Sequence, residues 1–213
     1  MFSTSRGTAS EQPEDSLRDG DSTRPAESTR RSRSDVPPVA GTDPPVVRIL
    51  VGDAASIEVD AVVRPATSQL EPAAEPTTID QLGASPSWQP LPRDRPLDIG
   101  AAVVTDGGSL AADYIIHAVV SSPTKPLTSL GVERAIQSVL ERSNDWEFRR
   151  IATPLLAGEP AGLGMDNAAR ILIDTIFRFR NATYPMEVCI VVGSEEEKSM
   201  VNAFLRSRQA YES

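Results

Sequence analysis

The stretch from Gly100 to Val120, GAAVVTDGGSLAADYIIHAVV, constrains the fold more than any other. Two runs rich in β-branched residues, Ala101–Thr105 and Tyr114–Val120, read as strands. The polar Asp106–Asp113 segment between them carries a turn signal at Gly107-Gly108. The second run is almost continuously apolar. A strand with one wet face alternates, whereas a strand covered on both faces does not. The chain must therefore supply layers on both sides of a sheet.

The flanking segments provide them. Val46–Val51 reads as a first strand ended by Gly52-Asp53, with a short helical turn around Ala54–Ile57. Val59–Val63 reads as the next strand, running into Arg64-Pro65. Residues 66–98 form a Pro- and Ala-rich stretch with one weak helical signal at Thr77–Leu82, and a loop of that length in a compact domain is usually functional or mobile. Apolar residues at Val132, Ala135, Ile136, Val139 and Leu140 have helical spacing within 130–147. Ile151–Leu156 reads as a strand, Ala168–Phe179 as a helix with Asp166 as N-cap or first-turn acid, Glu187–Val192 as the last strand and Glu195–Arg208 as the last helix. Strands alternating with helices predict a three-layer α/β/α sandwich on a mixed, mostly parallel sheet. Ligands of such sheets bind beyond the carboxyl ends of the strands, here the loops after Val51, Val63 and Leu156.

Composition narrows the function classes. Thirty acidic against 21 basic side chains give a net charge of −9, which disfavours nucleic acid and anionic membranes as partners. The single Cys189 excludes an internal disulfide framework, and with the single His117 it makes no metal-ligand cluster. No apolar run approaches the roughly 20 residues that span a bilayer, and residues 1–16 lack a signal-peptide core. The expectation is a soluble, cytoplasmic protein without cofactor. Residues 1–45 carry six arginines against eight acids and almost no large apolar side chains, so they read as a disordered tail ahead of a domain at 46–213. Arg30-Arg31-Ser32-Arg33 in that tail reads more simply as solvated than as a docking patch.

The order and spacing of these pieces resemble a macro domain, the α/β/α fold that binds ADP-ribose. The matching pieces are VVRILVGDA at 46–54, VDAVV at 59–63, the central stretch, and IATPLLAG at 151–158 followed by DNAARILIDTI at 166–176. The resemblance covers roughly residues 46–208. It implies that Asp53 accepts a hydrogen bond from the adenine amino group, with the Ala54 backbone beside it; the plainer alternative is that Asp53 caps the short turn. Where the family strand ends in N-A-A-N, with the second Asn holding the distal ribose, this chain has Arg64-Pro65-Ala66-Thr67. Glycines expected beyond it are replaced by Pro72-Ala73-Ala74-Glu75-Pro76, and proline supplies no N–H to a diphosphate. The family loop near G-T-G-x-G-G becomes Ala157-Gly158-Glu159-Pro160-Ala161-Gly162, ahead of Leu163. A carboxylate ~4 Å from a phosphate is repelled by ~4 kcal/mol at an effective dielectric of 20.

The resemblance thus assigns the ligand site to Asp53, Ala54, Arg64, Thr67, Gly158, Glu159, Ala161, Gly162 and Leu163, with no catalytic residue and no metal. Arg64 and Glu159, on loops that would face each other, are expected to form an ion pair filling a vacated site, unless Arg64 binds phosphate itself. Three functions stay in view: a module binding ADP-ribose or an adenine nucleotide weakly, a pseudo-domain that serves protein contact, and an ADP-ribosyl hydrolase. Loss of the Asn pair counts against the last. His117 in a buried strand reads as a satisfied core histidine, Cys189 as a small core side chain, and Trp146 as packing at the end of the 130–147 helix. Trp88 lies in the unassigned loop, and Ser121-Ser122 have no base at motif spacing.

Overall fold

A computed structural model describes residues 44–83, 96–157, 162–180 and 182–212. The tail at 1–43, Trp88 and the loop residues 158–161 lie outside them. Six strands form one sheet: β1 (Val46–Val51), β2 (Ala61–Thr67), β3 (Ala102–Asp106), β4 (Tyr114–Ser121), β5 (Arg150–Pro154) and β6 (Glu187–Val192), in the spatial order β1-β6-β5-β2-β4-β3. All neighbours run parallel except β3, which pairs antiparallel with β4 through the expected hairpin. Gly107 and Gly108 make that hairpin: a Cβ on Gly107 would sit 2.1 Å from the Ala112 carbonyl, and Gly108 has φ +63°.

Helices α2 (Ser129–Asp145), α3 (Met165–Arg178) and α4 (Glu195–Glu212) cover one face. Their apolar stripes meet Ala61, Val63, Ile116, Ala118, Ile151, Val188 and Ile190 in one large core cluster. A single turn of 3₁₀-helix at Ala54–Ser56 and the short α1 (Thr78–Leu82) lie on the other face, where Ala54, Ala55 and Ile79 pack on Val62, Ile115, Ala152 and Cys189. This is the three-layer sandwich on a mixed, mostly parallel sheet that the alternation of elements predicts. β4 is buried at all six interior positions, in keeping with its unbroken apolar run.

Some boundaries differ from those expected, where the chain chemistry is ambiguous. β2 starts two residues later and continues through Arg64, Pro65 and Ala66 to Thr67, so Arg64 is a strand residue and not a loop residue. α3 begins at Met165 after Gly164 (φ 76°), which makes Asp166 a first-turn acid and not the cap. Thr128 caps α2 through the Gly131 amide at 3.1 Å. Trp146 ends α2, edge-on to Tyr114 at 5.4 Å and tilted against the buried Phe148 at 5.9 Å.

The amino ends of the central strands are tied by Asp60. Its Oδ2 accepts from the Arg149 and Arg150 amides at 2.7 and 2.8 Å, joining the approach to β2 to the start of β5. Asp60→Ala removes the acceptor from two amides and is expected to cost about 1–3 kcal/mol. Asp60→Asn, which keeps one carbonyl acceptor, should cost less. Urea unfolding midpoints of the three proteins check this ordering.

Candidate functional site

In a parallel sheet the ligand crevice opens where neighbouring strands send their connections to opposite faces. Here that happens between β5, which leads to α3, and β2, which leads to α1 on the other face. β2 and β5 pair only at Ala61/Ile151 and Val62/Ala152 and then part. The β5-facing edge of β2 beyond Val62 is taken up by the chain's own return. The Thr67 amide donates to the Glu71 carbonyl at 2.9 Å, the Ala73 amide donates to the Pro65 carbonyl at 3.4 Å, and Ala66 bridges Pro72. This explains how a proline is tolerated in a central strand. Its missing N–H falls on the side that β5 has left. The residues Glu71–Ala73 therefore lie along the crevice wall.

Arg64 lies one residue before that proline. Its side chain, 4% exposed, points to the α1 side of the sheet. A guanidinium is almost never left uncharged, so burying it requires partners. Nε donates to Asp80 Oδ1 in an ion pair, and Nη1 donates to the Leu70 carbonyl at 3.1 Å and to His117 Nδ1 at 3.0 Å. Because Nδ1 accepts, the neutral ring carries its proton on Nε2, which donates to Thr105 Oγ1 at 2.7 Å. Asp80 Oδ2 accepts from the Thr77 amide at 2.6 Å and the Thr77 hydroxyl at 2.8 Å, so the same carboxylate caps α1 and neutralises Arg64. Leu70 reaches its place with φ 62°, unusual for a γ-branched side chain, and packs on Ala66 and Val119.

The electrostatics follow from burial and charge. Burial raises the Asp80 carboxyl, but hydrogen bonds from Thr77 and Arg64 and the guanidinium charge outweigh it, and the group lies below its ordinary value. Burial and then the Arg64 charge push His117 down to about 3, against an opposing pull from Asp80. His117 is thus a satisfied neutral core residue at physiological pH.

Those of the remaining expected site residues that the structure describes fall at the same end of the sheet. Asp53 follows β1; its carboxylate is exposed, not buried, and Oδ1 caps the 3₁₀ turn through the Ala55 amide at 2.9 Å. Ala54 is buried beside it. Thr67 Oγ1 accepts from the Gln69 amide at 3.3 Å, so both its backbone and its hydroxyl serve the return turn. After β5, Ala157 adopts φ 67° and its carbonyl accepts from the Leu163 amide at 3.4 Å, drawing the loop ends together ahead of Gly162 (φ 105°) and α3. Gly158, Glu159 and Ala161 lie outside the described residues, and so does the expected Arg64–Glu159 pair. Among the described residues Arg64 is ion-paired with Asp80. The sequence signal for it was the capping box Thr77-x-x-Asp80, which marks a helix start but not a partner for a strand arginine. Among the described residues no group of three or more His, Cys, Asp or Glu side chains is placed to hold a metal.

Comparison with known proteins agrees with this architecture. The family model described as Macro domain matches residues 89–172. The chain has the macro-domain fold. An uncharacterised protein of Aquifex aeolicus is 27% identical over 160 residues, covering 74% of this chain and 94% of that protein, and one of Aeropyrum pernix is 26% identical over 155 residues, covering 71% and 80%. Among solved structures, the Oceanobacillus iheyensis macrodomain with ADP superimposes with a TM-score of 0.65 at 19% identity, covering 80% of this chain and 95% of that one. The Trypanosoma brucei macrodomain in complex with ADP gives 0.61 at 16% identity, covering 75% and 69%. Likenesses at these identities establish the shared fold.

Two outcomes are expected of the buried network around Arg64. Removing one partner of the Arg64–Asp80 pair, by Arg64→Leu or Asp80→Asn, should destabilise by about 3–5 kcal/mol, and the double change Arg64→Met with Asp80→Leu should recover most of it. Unfolding midpoints in urea measure both. His117 has a folded pKa far below its unfolded one. Between pH 6.5 and about 3 the unfolded chain therefore binds a proton that the folded chain refuses, and stability falls by up to ~1.4 kcal/mol per unit as pH drops through that window. His117→Gln should flatten the slope there and leave the behaviour above pH 7 unchanged.

Proposed function

We propose that this macro domain binds ADP-ribose or a related adenine nucleotide weakly and does not catalyse its release. The observation that carries the reading is the state of Arg64. It stands where the family resemblance places an Asn, and it is turned away into the sheet to meet Asp80, His117 and the Leu70 carbonyl. It presents neither an amide to a ribose nor a base to a water. The second Asn position, Thr67, is likewise consumed by its own turn. The return segment 71–73 narrows the crevice from the β2 side.

Support for retained binding comes from the other end of the site. Asp53 keeps an exposed carboxylate beside the Ala54 backbone at the end of β1, and the amino end of α3 still opens after β5. That helix end is a natural anion site, although Asp166 in its first turn already complements the dipole. Two of the structural neighbours hold ADP, and a mutant of the Oceanobacillus iheyensis macrodomain holds ADP-ribose. The self-filled β2 edge favours a second reading, a pseudo-domain whose surfaces serve protein contact.

Calorimetric titration of the full chain separates these. Weak ADP-ribose binding, with a dissociation constant of about 100 µM or above, that is abolished by Asp53→Ala supports the proposal. No heat with ADP-ribose or AMP favours the pseudo-domain. Release of ADP-ribose from a modified protein above the buffer rate overturns the absence of catalysis.

A further inference from the structure

β1 is an outer strand of the sheet, and among the described residues it pairs only with β6. The Val46 amide donates to the Met186 carbonyl and the Gly52 amide to the Val192 carbonyl, so even-numbered residues face β6. By the two-residue period, Val47, Ile49 and Val51 aim their N–H and C=O groups outward. The strand reads VVRILV. It has no proline, lysine or bulge to blunt it, and its one charged side chain, Arg48, is tied to Glu187 of β6 at 3.1 Å. Val46 and Val51 are 59% and 39% exposed. Such an edge is a template for another strand.

We propose that the occupant is a second copy of this chain, which pairs β1 with β1 antiparallel about a two-fold axis at Ile49 to form one continuous sheet. The register is selected by the residues themselves. Centred on Ile49, the three outward-facing residues meet their counterparts as hydrogen-bonded pairs, Ile49 with Ile49 and Val47 with Val51 of the second copy. These pairs lie on the face where Val47 and Ile49 pack on the core beneath α4. On the other face, Arg48 falls opposite Leu50 of the second copy, whose apolar surface its methylene stem can cover. Centred one residue earlier, Arg48 would oppose Arg48, and Val51 would face Pro45, which has no amide to donate.

α4 supplies the independent argument, from charge complementarity. It lies over β1 and β6 and contacts α3 through Phe204, which Arg170 overlies, and through Arg208, which pairs with Asp174 at 3.3 Å. Glu195 precedes Phe204 by about two and a half turns and Arg206 follows it by about half a turn, so both point away from α3, past the β1 edge. Both are exposed, and Glu195 lies beside Lys198 of its own helix at 3.5 Å. A two-fold axis at β1 sets two α4 helices antiparallel, at roughly 10 Å from one another given strands ~4.8 Å apart, which is a normal helix-packing distance. Glu195 at the start of each helix then meets Arg206 of the other. An isologous interface needs such self-complementarity.

Sedimentation of the full chain tests this. The expected result is a reversible dimer that Val51→Pro, which removes an outward-facing donor, shifts to monomer. Glu195→Arg and Arg206→Glu should each raise the dissociation constant about tenfold, because two symmetric pairs are lost at once, and the double charge swap should restore it. The swap involves exposed residues only and stays informative even if Val51→Pro fails to fold. A chain that remains monomeric up to about 100 µM, or a dimer indifferent to both Val51→Pro and the charge reversals, overturns the proposal.

Discussion

A guanidinium buried on a central strand of a sheet covered on both faces cannot be solvated and cannot lose its proton, so the elements around it must be arranged to receive it. Arg64 sits on β2 between β4 and the crevice, and its three described contacts come from three directions. Asp80 brings the start of α1 onto the sheet, the Leu70 carbonyl fixes the turn after β2, and His117 passes the chain of hydrogen bonds to Thr105 on the outer strand β3. Beside that charge, the five-residue helix is tied to the β3–β4 hairpin by the Ser109 amide, which donates to the Leu82 carbonyl at 2.9 Å. The helix's single buried apolar residue is Ile79, and the apolar area of one isoleucine is worth only about 2–3 kcal/mol.

The same network decides what the carboxyl end of the sheet can do. Fixing Leu70 in a left-handed conformation turns the chain back so that Glu71–Ala73 run beside β2, which gives Pro65 and Thr67 partners that β5 does not supply. One polar interaction under the sheet is thereby coupled to the shape of the crevice above it. The turn after β1 and the start of α3 after β5 are held by hydrogen bonds of their own, from the Ala55 amide to Asp53 and from the Ala168 amide to the Gly164 carbonyl.

Most of the architecture was legible in the sequence because each element announced itself by period. The unbroken apolar run of β4, the Gly-Gly hairpin before it and the spaced apolar residues of α2 left little freedom. β2 was not legible past Val63. Proline speaks against a central strand, and only the parting of β5 from β2 removes the objection. The partner of Arg64 was equally hidden. Asp80 lies 16 residues away in a Pro- and Ala-rich stretch with a weak helical signal, and a capping box explains a carboxylate there without reference to the sheet. The sequence shows that Asp53 ends β1 but not how far it is covered; its carboxylate is exposed because the 3₁₀ turn it caps holds it at the rim.

The aromatic group at the opposite end of the molecule has a practical meaning. Trp146 lies against Tyr114 and Phe148 where β4 and β5 begin, a full strand's length from the crevice. Its indole is half exposed at the end of α2, so its emission depends on whether the helix end remains docked on those two rings. Fluorescence from this position is an optical gauge of the sheet's base, and it is insulated by distance from whatever occupies the top.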